Sequence, residues 1–405
     1  MRAYSNLEAS ESRKNHGSVT VRRASSPTAD QLFFVCRPGD LTADVARQTE
    51  SVYEAFLEAL AVERVPAAAV VSETLFFRSI AEDCPNVRAA QRSILERVAL
   101  ENAYRPATTY IGQPPSSGAS VELSAVAIVP HRRGACSMAQ TTHALPCSCA
   151  TCLRGARAKL LCVDEETHLY AGSICGSAHG GFEEALQMFR TADGLLRKAG
   201  MTFRDVVRTW IYMRDIDRDY GDLNRARREF FRQCGIVRKP ASTGVQGIPP
   251  SDAHDFSLSF YARRSSRPGN VDVMSASTLN EAWTYGADFS RGLRVGGTQA
   301  TLYVSGTASI GESGTSLHVG ELEPQAERTV HNLRALLGVQ GATFANVVSA
   351  VAYLKHLNDA PVLERILRER GFEGFPLNLV EAPLCRPELL CEIEAVAVLP
   401  ATANA

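Results

Sequence analysis

Charge of either sign is nearly absent as a surplus: 43 Lys and Arg stand against 44 Asp and Glu over 405 residues, a formal net charge of -1. Such a balance gives no long-range pull toward nucleic acid or an anionic membrane surface. Long apolar runs are missing as well. None approaches the ~18 residues that a bilayer-spanning helix needs, so no membrane partner is expected. The first 30 residues are rich in Ser, Arg and Glu and lack the apolar segment of a secretory signal. They read as a flexible leader (1–30), and a cytoplasmic location is expected. The 11 cysteines are an odd count without a secretory context, which argues against a disulfide framework. Reduced thiols, a metal site, or both remain. No serine stands with a convincing His–Asp partner set, so a hydrolase triad has no support.

What the chain does have is repetition, and its length suits two or three domains. Three apolar strands recur: Leu32 to Val35, Leu169 to Gly172 and Leu302 to Ser305. An amphipathic helix follows each one. In the third copy it runs from Pro324 to Leu337, with Ala326, Val330, Leu333 and Leu336 at helical spacing. Its opening proline suits a first turn, where the missing N–H costs nothing. A β-rich stretch comes next: Val70 to Arg78, Val206 to Arg214 and Val347 to Lys355. After a second helix, two copies carry Pro-Ala (Pro106-Ala107, Pro240-Ala241) and the third carries Phe375-Pro376. Each copy closes on an alternating strand, which brings Glu122, Ser257 and Glu392 into register. The two intervals, 257 − 122 and 392 − 257, are both 135 residues.

An order of β–α–β–α–β within ~100 residues implies an α/β (α+β) unit, a sheet with two helices on one face. The expected domains are 31–132, 161–264 and 296–400. A Cys-rich linker over 133–160 and a polar, turn-forming linker over 265–295 separate them.

Gly306-Thr307-Ala308-Ser309, the helix containing Asn332-Leu333, and Glu392-Ile393-Glu394-Ala395 resemble the Rid/YjgF family. That family's fold is a compact trimer with ligand sites between neighbouring units. Three tandem Rid/YjgF-like (chorismate-mutase-like) domains in one chain imply an intrachain pseudo-trimer, either monomeric or associating further. Over residues 160–400 the chain is also similar to the chorismatases, tandem Rid-like enzymes that hydrolyse chorismate. The similarity lies in Cys385-Arg386-Pro387-Glu388-Leu389-Leu390-Cys391-Glu392, Val304 to Ile310, Tyr285-Gly286 with Phe289-Ser290-Arg291 and, more loosely, Tyr220 to Arg227. The Rid imine deaminases carry an arginine directly after the Pro-Ala pair. Here Thr108, Ser242 and either Leu377 or Asn378 take that position, which argues against simple imine hydrolysis.

The resemblance implies a small-molecule carboxylate substrate and no cofactor for catalysis. Glu392 is then the candidate catalytic acid: a carboxyl facing a desolvated cleft has a raised pKa and can protonate an enol carbon. The plainer reading puts it on the solvent face of a half-exposed strand. Cys385 lines the pocket in some chorismatases; it is equally well a buried small hydrophobe. A dicarboxylate needs cations, best as bidentate arginine, so Arg227, Arg386 and Arg214 are candidates, each against the alternative of a solvated charge. Tyr220 is a candidate hydrogen-bonding partner for substrate hydroxyls or a packing residue. Ser305 and Thr307 flank Gly306, which either lets a ligand approach the backbone or marks a bulge. Cys147, Cys149 and Cys152 crowd the first linker. With His143, Cys136 or Cys162 they make four zinc ligands; free thiols are the alternative.

Overall fold

The computed structural model describes residues 7–14, 16–131, 136–143, 156–163, 165–177, 180–265, 271–297 and 299–400. Each copy begins earlier than the repeat pattern alone suggests. In the first, β1 (Leu7–Lys14) and β2 (Gly17–Ser25) pair as an antiparallel hairpin ahead of β3 (Ala29–Pro38). Residues 7–14 and 17–25, expected as part of a flexible leader, are therefore sheet. Val19 and Val21 are buried while Thr20 and Arg22, which alternate with them, are less so. That period-2 pattern is hidden by low apolar density. Arg22 ties the hairpin to the third copy by donating to the carbonyls of Ala345 and Gly374, at 2.5 and 2.7 Å.

The rest of domain 1 follows as α1 (Val45–Val62), β4 (Val70–Phe77), α2 (Ile80–Arg97), β5 (Ala107–Gly112) and β6 (Val121–Pro130). Both expected linkers also supply hairpin strands. Domain 2 opens with β7 (Cys136–His143) and β8 (Ala156–Val163). It continues through β9 (Glu166–Ile174), α3 (Gly181–Lys198), β10 (Val206–Met213), α4 (Ile216–Cys234), β11 (Ala241–Gln246) and β12 (Phe256–Ser265). Domain 3 opens with β13 (Val271–Val273) and β14 (Gly292–Val295). Then come β15 (Ala300–Ala308), α5 (Leu322–Val339), β16 (Val347–Leu354), α6 (Ala360–Glu369), β17 (Leu377–Glu381) and β18 (Cys391–Leu399).

All three six-stranded sheets share one order. In domain 1 it is β1-β2-β3-β6-β4-β5, and β7 to β12 and β13 to β18 repeat it. Among the described strand pairs, only β4–β5, β10–β11 and β16–β17 are parallel, as a strand–helix–strand crossover requires. Glu122, Ser257 and Glu392 pair with Phe76, Tyr212 and Tyr353, so the register expected from the 135-residue interval is the register of the sheets.

Local signals explain the helix ends. Asp44 and Asp215 cap α1 and α4 by accepting the amides of Arg47 and Arg218 at 2.9 and 3.1 Å. Gly235 ends α4 in the left-handed region. Pro324 sits in the first turn of α5, and Ala326, Val330, Leu333 and Leu336 are all buried.

Each helix pair covers one face of its own sheet and forms a separate core. The other faces meet one another, so three seams arise. Backbone hydrogen bonds cross each: Gly112 with Ile248, Ser116 with Leu379 and Ser290 with Pro240, at 2.8 to 3.1 Å. No helix among the described residues is long and apolar enough to cross a membrane.

Candidate active site between the second and third domains

Along β18, Cys391, Ile393, Ala395 and Ala397 point into the core beneath α5 and α6. The alternate residues Glu392 and Glu394 therefore project from the opposite face. That face is covered by domain 2, and both carboxyls are buried, at 5% and 6% exposure. Strand alternation alone left Glu392 between cleft and solvent; the neighbouring domain decides for the cleft.

The cleft is a cavity of about 530 Å³. Domain 3 contributes Glu392, Cys385, Arg386 and Gly306, domain 2 contributes Tyr220 and Arg227, and the segment leading into β14 contributes Phe289 and Arg291. Gly306 sits where β15 shifts register between Val304 and Thr307. A Cβ there would overlap the Glu392 carboxylate. The glycine is needed for close approach of the acid rather than for an unusual dihedral. Burial raises the Glu392 pKa from 4.5 to about 8, Glu394 adds to the rise, and Arg291 and Arg208 oppose it. The acid is therefore held protonated at neutral pH.

Three guanidiniums share the cavity with this one carboxyl. Arg227 donates to Asn224 at 2.6 Å, and Arg291 to the Asn280 carbonyl at 2.8 Å. Both guanidiniums approach the Phe289 ring, at 5.7 and 5.6 Å from its centroid. Arg386 donates to the Gly314 carbonyl at 2.8 Å and to Ser316 at 3.2 Å. Three cations around a protonated acid suit a ligand with more than one anionic group.

Cys385 lies in the cleft as a neutral thiol. Burial pushes its pKa up to about 12, with Glu392 adding to the rise and a hydrogen bond with Tyr220 opposing it. A thiol so far from ionisation lines the pocket and is a poor nucleophile.

Three expected binding residues are placed elsewhere. Arg214 donates to the carbonyls of Ser251 and His254 and pairs with Asp252 and Asp255, so it anchors the turn before β12. The Ser305 hydroxyl donates to the Ser290 carbonyl at 2.6 Å and accepts the Ser242 amide at 2.8 Å, a stitch across the seam. Thr307 donates to the Ser305 carbonyl at 2.9 Å. Both hydroxyls are consumed beneath the cleft. Cys147, Cys149 and Cys152 lie outside the described residues. No group of three or more metal-ligating side chains occurs among the described ones.

Arg291 and Phe289 belong to the segment expected as a linker, where composition carries no periodicity. The only sequence signal for them is the Phe289-Ser290-Arg291 resemblance.

The other two seams differ. Glu122, the domain 1 counterpart of Glu392, is bound by Arg37 at 3.1 Å and by Asn378 of domain 3 at 2.9 Å. The domain 2 counterpart, Ser257, is buried, and its hydroxyl has no hydrogen-bond partner among the described residues. Of the three equivalent positions, only Glu392 joins an unpaired acid to a cationic cavity.

Comparison with known proteins agrees with this construction. The family model described as Endoribonuclease L-PSP matches residues 281–399. A RutC family protein of Synechocystis is 33% identical over 88 residues, 21% of this chain and 68% of that protein. This chain belongs to the Rid/YjgF family. Among Rid/YjgF relatives it is similar to a protein of Streptomyces hygroscopicus described as 3-hydroxybenzoate synthase, 26% identical over 247 residues, 54% of this chain and 70% of the relative. A crystal structure of a chorismatase superposes with a TM-score of 0.57 at 16% identity, covering 82% of this chain and 93% of the other. That likeness of fold extends beyond residues 160–400, to which the sequence resemblance is confined.

Proposed function

We propose that the cleft between domains 2 and 3 hydrolyses the enolpyruvyl ether of chorismate, or of a closely related dicarboxylate, and releases pyruvate. The observation that carries this reading is Glu392: a buried acid that shares one cavity with Arg227, Arg291 and Arg386, its pKa raised by that burial. A relative of Streptomyces rapamycinicus described as a chorismatase, 26% identical over 221 residues, points the same way.

The chemistry follows from those groups. The guanidiniums hold the two carboxylates and fix the enol ether beside the acid. Glu392 delivers its proton to the terminal methylene carbon, and positive charge develops on the ether-bearing carbon. The carboxylate left on Glu392 stabilises that cation. Water adds to it and returns a proton to Glu392; the hemiketal then collapses to pyruvate and the ring alcohol. One water is consumed, and no electrons leave or enter. Loss of a second water from the ring would give an aromatic acid, so product analysis distinguishes the two outcomes.

The positions that carry arginine in imine deaminases serve other purposes in all three copies. Thr108 donates to Glu73, Ser242 accepts from Thr209, and Asn378 donates to Glu122. This favours enol ether cleavage over imine hydrolysis.

The test is incubation of the protein with chorismate while pyruvate is followed by a coupled reductase. Turnover is expected in the wild type. In Glu392→Gln it should fall by at least ~100-fold, the loss typical of a missing general acid. Ammonia release from 2-aminoacrylate with chorismate untouched would overturn the reading.

A further inference from the structure

A second, larger space lies where the three sheets face one another. This chamber, about 1010 Å³ with the space open to solvent counted in, is walled by strands of all three domains. No residue lines both the chamber and the cleft. Its wall is aromatic, with Phe33, Tyr170, Trp210, Tyr261 and Tyr303 among the lining side chains. Tyr170 stacks on Tyr261 at 4.6 Å, and Tyr261 meets Tyr303 at 5.5 Å.

One ion pair interrupts this surface. Arg208, 1% exposed, donates through Nη2 to Glu394 at 2.7 Å and to Thr243 at 2.5 Å. Glu394 is filled by two further donors, the Trp210 indole at 2.6 Å and the Tyr353 hydroxyl at 3.1 Å. The second terminal nitrogen of Arg208, Nη1, is buried and has no hydrogen-bond partner among the described residues. A buried donor left unpaired is costly, and Arg208 is among the side chains that line the chamber.

The charge count selects the ligand class. Glu394 already neutralises Arg208 and Glu73 is a second carboxyl in the same lining, so an anion at Nη1 would sit among carboxyls with no cation to spare. A cation would face Arg208 itself. We infer that the chamber is a second small-molecule site for a neutral, flat aromatic or alicyclic compound. Its ring stacks among the tyrosines, and one carbonyl or ether oxygen accepts from Arg208 Nη1.

The chain's two tryptophans make a direct test possible. Trp210 lines the chamber, whereas Trp283 is exposed. In a Trp283→Phe protein the remaining indole emission reports on the chamber. Acetophenone, a neutral aromatic ketone, is expected to quench it saturably. Benzoate, of the same shape but anionic, should bind at least about tenfold more weakly, a gap of ~1.4 kcal/mol. Val351→Phe, which fills the chamber, should weaken acetophenone by a similar factor, and Glu392→Gln should leave it unchanged. Quenching without saturation, meaning a chamber holding only water, would overturn the proposal. So would equal affinity for benzoate, or loss of binding in Glu392→Gln, which would move the probe to the cleft. If Val351→Phe does not fold, the ketone–carboxylate contrast decides alone.

Discussion

A carboxyl raised from 4.5 to about 8 is both a chemical and a thermodynamic statement. As pH rises between those values the unfolded chain gives up this proton while the folded chain keeps it. Folded stability attributable to Glu392 is therefore lost over that window, up to the folded pKa. Glu392→Gln does not titrate, so its melting temperature should gain on the wild type from pH 5 to pH 9; a constant difference would contradict the burial argument. Turnover should fall on the alkaline side as the acid form disappears near pH 8. Arg291 lowers this pKa, so Arg291→Met is expected to move the alkaline limb upward and to raise KM, both read from a pH–rate profile. At this scale the sequence offered Glu392, Cys385, Tyr220, Arg227 and Arg386, and the fold gathers all five in one cavity. Arg291 was hidden because it precedes a short strand in a polar segment. Arg214 was misleading because a strand-end arginine reads the same whether it faces a ligand or a turn.

Among the elements, the bulge in β15 is the one that makes room for the acid. Gly306→Ala would put a methyl group on the Glu392 carboxylate. The carboxylate is the free end of a flexible side chain, so the fold should survive, with an unchanged circular dichroism spectrum. The acid would be displaced, and kcat should drop by an order of magnitude or more. Full activity in this variant would remove the acid from the chemistry. The strands and helices of the repeat were legible through their periodicity and caps. The N-terminal hairpins were not: β2 is polar on one face, and β13 has only three residues. Sheet pairing, not local propensity, makes them strands.

In the whole molecule, one sheet order used three times gives three equivalent seams that have diverged. The seam between domains 1 and 3 is closed by Arg37 and Asn378 on Glu122. Arg37→Met would strand that buried carboxylate and should cost about 3 kcal/mol of stability, measurable by urea unfolding. Chorismate turnover per folded molecule is expected to be unaffected, because the cleft proposed to carry it lies at another seam. The 135-residue interval announced the threefold repeat. It carried no information on which copies touch, because seam contacts join residues as distant as Glu122 and Asn378.

Glu392 is expected to hold a proton at neutral pH inside a cationic cleft. The most direct measurement is a titration of its ¹³C-labelled carboxyl by NMR, assigned by the signal's absence in Glu392→Gln. A midpoint near 8 is expected; a midpoint near the ordinary 4.5 would mean that Glu392 is ionised at neutral pH and cannot act as the acid.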